Sequence, residues 1–188
     1  MNEQFGIREI LTNHPIVPVC VEDDPARIER VMEKLEASGI HCIEITLRSA
    51  GAFEVIQKAL EVRNEGFSIG VGTIISSEQV ERCATLGVDF MVSPGLTSHL
   101  ADAFKMAKVP FLPGVMTSSE IIAGLEYGLD TFKLFPFNLA GGEKALQTYG
   151  SVFPHVKFCP TGGVNQEIAE RILQAQNVIA VGGTWMLK

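Results

Sequence analysis

Short β-branched runs alternate with amphipathic helical segments along the whole chain, and this alternation restricts the fold more than any other feature. The runs are IVPVC (16–20), CIEIT (42–46), SIGVG (68–72), FMVS (90–93), PFLPG (110–114), TFKLF (131–135), VKFC (156–159) and VIAVG (178–182). Between them stand segments such as PARIERVMEKLEAS, AGAFEVIQKALEVR, SSEQVERCATLG and NQEIAERILQA, whose apolar residues recur at helical spacing. Strand–helix–strand units of this kind form right-handed crossovers between parallel strands. Eight of them predict one α/β domain over residues 1–188, a (β/α)8 TIM barrel, with an open doubly wound sheet as the alternative.

Two features disturb that expectation. Pro18 lies inside the first run and has no N–H to give to a ladder. Lys188 follows the eighth run by only six residues, so the eighth outer helix is apparently absent; either the chain is truncated or a neighbour covers that flank. The segment FGIREILTN can form a helix closing the barrel bottom.

Composition narrows the function classes. With 46% hydrophobic and 20% charged residues the chain can build a core. Fifteen Lys and Arg against twenty-two Asp and Glu give a net charge of -7, which disfavours nucleic acid and anionic membranes as partners. An anionic ligand must then be held locally. No apolar run approaches the ~20 residues of a membrane span. The opening MNEQFGIREILTNH, with Glu3 and Glu9, has no basic flank before an apolar run and does not read as a secretory signal, so the cytoplasm is the expected compartment. Cys20, Cys42, Cys83 and Cys159 are far apart without a CxxC and read as reduced packing residues. His14, His41, His99 and His155 show no HxH or HExxH spacing, and three of them immediately precede strands; neither a metal nor a cofactor is expected.

Strand parity selects the inward side chains. In CIEITLR, Ile43, Ile45 and Leu47 alternate with Cys42, Glu44, Thr46 and Arg48. Outer helices bury the aliphatic face, which turns Glu44 and Arg48 into the lumen, toward the C-terminal end where such barrels do chemistry. In TFKLFPF the same parity sets Phe132 and Leu134 against helices and Thr131, Lys133 and Phe135 inside. A strand lysine ordinarily snorkels or pairs with a carboxylate. For Lys133, desolvation and Arg48 favour the neutral amine whereas Glu44 favours the ammonium. As a neutral amine it is a nucleophile for carbonyls, giving a Schiff base that acts as an electron sink. Glu44 could carry protons for that chemistry, or serve only as a structural partner. Arg48 suits a carboxylate, with a lumen ion pair to Glu44 as the plainer alternative. Lys157 also has inward parity but opens its strand, which puts it near the barrel bottom.

Gly162–Gly163 after the seventh run and Gly182–Gly183 after the eighth fall in the loops where these barrels most often bind phosphate, with Asn165 as an N-cap for the next helix. Glycines there let backbone N–H groups crowd around an anion.

The motifs EITLR (44–48), VGT (71–73), SPGLT (93–97), PFLPGV (110–115), FKLFP (132–136), CPTGGV (159–164) and VGGTW (181–185) resemble the class I, Schiff-base family of 2-keto-3-deoxy-6-phosphogluconate and 4-hydroxy-2-oxoglutarate aldolases. The resemblance covers nearly the whole chain. It implies a trimeric barrel that releases pyruvate and glyceraldehyde 3-phosphate, with a small phosphorylated keto acid as substrate. It makes Lys133 the Schiff-base lysine and Glu44 the general acid/base. Arg48 and Thr73 would receive the pyruvyl carboxylate, Pro94 and Phe135 would wall the site, and Thr161 would meet a substrate hydroxyl. Gly162, Gly163, Gly183 and Thr184 would hold the phosphate, Thr184 standing where a serine is expected. The family normally continues through another helix. Rival substrates are 4-hydroxy-2-oxoglutarate and the galactonate-series epimer. Thr161 favours the gluconate series, by ~1–3 kcal/mol for one hydrogen bond. A phosphosugar isomerase would need paired carboxylates or a metal, and a non-catalytic sugar-phosphate binding barrel would not need Glu44 and Lys133.

Overall fold

Polar side chains at the ends of the strand-to-helix loops start most of the helices. Asp24, Ser76, Thr97, Thr117 and Asn165 each accept a hydrogen bond from a first-turn backbone N–H. They open α2 (Pro25–Ala37), α4 (Ser77–Leu86), α5 (Ser98–Ala107), α6 (Ser118–Glu126) and α8 (Gln166–Ile172). At α6, Glu120 also reaches back to the N-cap backbone and completes a capping box. The helices α3 (Ala52–Val62) and α7 (Gly142–Val152) start after Gly51 and Gly141 without a side-chain cap, and α1 (Ile7–Asn13) precedes the first strand. The computed structural model describes residues 6–187. Phe5, the first residue of the expected FGIREILTN helix, lies outside the described residues.

The parallel strands are β1 (Ile16–Cys20), β2 (Cys42–Thr46), β3 (Ser68–Gly72), β4 (Phe90–Val92), β5 (Phe111–Leu112), β6 (Gly114–Val115), β7 (Thr131–Leu134), β8 (Lys157–Pro160) and β9 (Val181–Gly183). One sheet runs β5-β4-β3-β2-β1-β9 and the other β6-β7-β8. Single bridges from Phe158 to Val178 and from Thr161 to Gly182 join β8 to the last strand and complete the ring. The expected barrel therefore forms, with one difference. The fifth run is two strands, because Pro113 divides it: Leu112 is the last partner of β4, and Gly114 the first partner of β7. Pro113 donates nothing, yet its carbonyl still accepts from the Lys133 N–H at 2.9 Å.

Pro18 is accommodated by a similar division. Residues Ile16, Val17 and Pro18 are in register with β9, and the register with β2 starts at Val19, past the proline.

The aliphatic faces meet the helices. Ile43, Ile45, Phe132 and Leu134 belong to the main core, all fully buried. A second, smaller core fills the lower lumen with Val17, Cys42, Phe90, Val92, Leu112 and Cys159, and Ile7 and Leu11 of α1 plug it from below. Arg8 ties that plug to the barrel, with its Nε donating to Thr131 Oγ1 at 2.8 Å and its guanidinium donating to the carbonyls of Asp130 and His155. Among the described residues the chain after β9 forms a single 3-10 turn, Trp185–Leu187, which packs on β1 and α2, and no α-helix. No helix among the described residues is long and apolar enough to cross a membrane.

All four cysteines are free and buried, as their reading as packing residues requires. Burial pushes the thiols up, to about 11 for Cys20 and about 12 for Cys83 and Cys159.

Candidate active site

Glu44 and Lys133 meet above this lower core. Both have the inward parity of their strands, and Nζ of Lys133 donates to Oε1 of Glu44 at 3.0 Å and to Oε2 at 3.2 Å. The side chains are only 3% and 6% exposed, so the contact is a buried ion pair rather than a surface one. A buried carboxylate and amine at this distance can exchange a proton directly. Nζ also lies 5.2 Å from the centre of the Phe135 ring, which stabilises a cationic nitrogen.

The space for Glu44 comes from β3. Thr46 pairs with Gly72 across the β2–β3 ladder, and a Cβ at Gly72 would overlap the Glu44 carboxylate. Any other residue at position 72 would therefore displace Glu44.

The pair lies in a cavity of about 240 Å³. Of the site residues singled out from the sequence, Glu44, Arg48, Thr73, Pro94, Lys133, Phe135, Thr161, Gly162, Gly163, Gly183 and Thr184 line it, joined by Val19 and Val164; Gly182 does not, and lies against the Thr161 side chain instead. Arg48 stands at the mouth. Its Nε donates to Thr46 Oγ1 at 3.1 Å, and Thr46 in turn donates to the Cys20 carbonyl at 3.0 Å. Thr73 has φ 63°, a left-handed conformation that is unusual for a β-branched residue. Thr161 is buried and its hydroxyl leans on the Cys159 carbonyl at 3.4 Å. Gly162 and Gly163 have φ of 95° and 75°, so the backbone turns in a way that side chains resist, and Asn165 caps α8 immediately after.

The loops after β8 and β9 thus line the cavity with glycine backbone and the hydroxyls of Thr161 and Thr184, and its two cationic side chains come from elsewhere, Arg48 from the residues after β2 and Lys133 from β7. The remaining strand lysine, Lys157, is held at the start of β8 by the Gln176 carbonyl at 2.6 Å. His14 is at the bottom as well, beside Ser68 at the start of β3.

Sequence reasoning missed Val19, Val164, Gly72 and Thr46 as contributors. The alternation of Gly70 and Gly72 in β3 is a usable signal, because two side-chain-free positions on one strand face leave room for a neighbour's bulk. Thr46 was visible as inward-facing, but its hydrogen bond to the Cys20 carbonyl depends on β1.

Comparison with known proteins agrees with this fold. Residues 7–188 match the family model described as KDPG and KHG aldolase, that is, aldolases of 2-keto-3-deoxy-6-phosphogluconate and 4-hydroxy-2-oxoglutarate. The 2-dehydro-3-deoxy-phosphogluconate aldolase of Zymomonas mobilis is 37% identical over 181 residues, covering 96% of this chain and 86% of the relative. The KHG/KDPG aldolase of Escherichia coli K12 is 35% identical over 186 residues, covering 99% and 87%. Among solved structures, a Legionella pneumophila KDPG aldolase with pyruvate captured as a covalent carbinolamine superposes with a TM-score of 0.92 at 37% identity, covering 95% of this chain and 86% of that one. The Z. mobilis enzyme with 3-phosphoglycerate gives 0.91 at 37% identity, with 95% and 85% covered. With its barrel, its buried lysine–glutamate pair and its nearly full-length match, the chain belongs to the KDPG and KHG aldolase family.

Proposed function

We propose that the chain is a class I aldolase that cleaves 2-keto-3-deoxy-6-phosphogluconate into pyruvate and glyceraldehyde 3-phosphate through a Schiff base on Lys133. The observation that carries this reading is the Lys133–Glu44 pair at 3.0 Å on the cavity wall. Glu44 takes a proton from the ammonium, and the freed amine adds to the C2 ketone to give a carbinolamine. Glu44 returns the proton to the departing hydroxyl, water leaves, and a cationic imine forms beneath the Phe135 ring. Glu44, again a carboxylate, takes the C4 hydroxyl proton as C3–C4 breaks. The bonding pair flows into the iminium, leaving an enamine and releasing the aldehyde. Protonation of the enamine at C3 through Glu44 and addition of water give pyruvate and restore the amine. Arg48 and Thr73 receive the carboxylate, Pro94 and Phe135 wall the reacting carbons, and Thr161 meets a substrate hydroxyl. The Gly162–Gly163 and Gly183–Thr184 loops hold the phosphate with neutral donors.

Borohydride added with pyruvate should attach a stable carboxyethyl group to Lys133, detected by peptide mass spectrometry. The Lys133→Ala variant should take up none, and unchanged labelling of that variant would overturn the assignment. Pyruvate release coupled to lactate dehydrogenase checks turnover, and a protein that binds but never releases pyruvate is a sugar-phosphate binding barrel instead.

A second substrate, 4-hydroxy-2-oxoglutarate, is supported by the loops after β8 and β9 that line the cavity. Their donors are glycine backbone and the hydroxyls of Thr161 and Thr184 rather than cations, which suit a second carboxylate as well as a phosphate. Comparing kcat/KM for this acid and for the gluconate-series and galactonate-series phosphates orders the three. The family resemblance supports a homotrimer, measured as three times the 20.4 kDa chain by light scattering. The free buried cysteines support a cytoplasmic location.

A further inference from the structure

We propose that Thr46 is a positioning residue that fixes the plane of the Arg48 guanidinium for a keto-acid carboxylate, so that it governs affinity for that acid and not bond making; the inference rests on the aldolase reading above. Thr46 lies on β2 between Glu44 and Arg48 and is 1% exposed. Its single hydroxyl proton goes to the Cys20 carbonyl at 3.0 Å, since a carbonyl can only accept. The lone pairs that remain face Arg48, whose Nε–H donates to them at 3.1 Å. The direction of the relay is therefore set from strand to strand: guanidinium to hydroxyl to the carbonyl of β1.

Arg48 is exposed, and among the described residues this is the one hydrogen bond that its side chain makes. Holding Nε orients the whole guanidinium, because the group is planar, and it leaves the two terminal nitrogens free as a fork for two carboxylate oxygens. A freely rotating arginine would have to be ordered by each ligand it binds. The buried threonine does that ordering in advance.

The test is the pyruvate concentration dependence of borohydride trapping on the whole protein, beside steady-state cleavage. Thr46→Val keeps the shape and removes the hydroxyl. It should raise the half-saturating pyruvate concentration and KM by ~10-fold, the loss of one hydrogen bond to a charged group, with kcat within about threefold. Thr46→Ser should restore both values. In an Arg48→Ala background, Thr46→Val should add nothing, and trapping of methyl pyruvate, which has no carboxylate, should not respond to Thr46→Val at all. Should the valine variant fail to fold, Thr46→Ala and Thr46→Ser form an equivalent pair. Wild-type affinity in the hydroxyl-free variants, or an equal penalty without Arg48, overturns the relay. Absence of any pyruvate adduct on the wild-type protein overturns the aldolase reading and the relay together.

Discussion

Gly72 shows how a residue without a side chain can matter as much as one that reacts. A methyl group there would overlap the Glu44 carboxylate, so Gly72→Ala must turn Glu44 away from Lys133. Circular dichroism should report a retained fold, and kcat should fall ~100-fold or more, the usual worth of a positioned acid/base group. Glu44→Gln is the sharper comparison, because it preserves the shape and removes the basicity; we expect a similar fall in kcat in the same assay. Thr73 carries a different kind of cost. Its φ of 63° is strained for a β-branched side chain, and Thr73→Asn, which tolerates that conformation, should stabilise the fold by about 1 kcal/mol in urea unfolding while weakening pyruvate binding. At this scale, parity alone made Glu44 and Lys133 legible as inward residues. Their contact was not legible, since it joins positions 89 residues apart, and neither was the role of Gly72, which yields to a side chain from another strand.

Among the elements, the alternation of runs marked eight strand positions around the barrel, and of the helix starts only the Asn165 cap of α8 was read from the sequence. The divided fifth strand was hidden, because PFLPG reads as one apolar run until the neighbours on either side of Pro113 are known. The role of α1 was legible in part: Ile7 and Leu11 have the spacing of one helix face, and the structure adds the Arg8 tether to Asp130, Thr131 and His155. Leu11 is fully buried against the lower lumen, so Leu11→Ala should cost about 2–4 kcal/mol in urea unfolding. The Glu44–Lys133 pair proposed to do the chemistry sits above that core rather than in it, and kcat measured well below the unfolding midpoint should change less than stability does.

Across the whole molecule, the four buried thiols define an alkaline limit. Their folded-state values, about 11 to 12 for Cys20, Cys83 and Cys159, lie above the ordinary 9.0, so the folded chain disfavours the thiolates that the unfolded chain accepts. The stability they contribute is whole below pH 9 and drains away as the pH climbs from 9 toward 12. Melting temperature should therefore be level near neutrality and fall above pH 9, with a shallower fall in a Cys83→Ala variant. A thiol reagent at pH 8 should find no reactive cysteine until the protein is unfolded.

The amine and the carboxylate proposed to do the chemistry arrive from opposite halves of the sequence, on strands that become neighbours across the lumen only when the circle of strands is complete. Either half of the polypeptide expressed by itself would be chemically mute. Two halves supplied as separate polypeptides would recover pyruvate release only after docking, so the enzyme brings with it a colorimetric gauge of its own complementation.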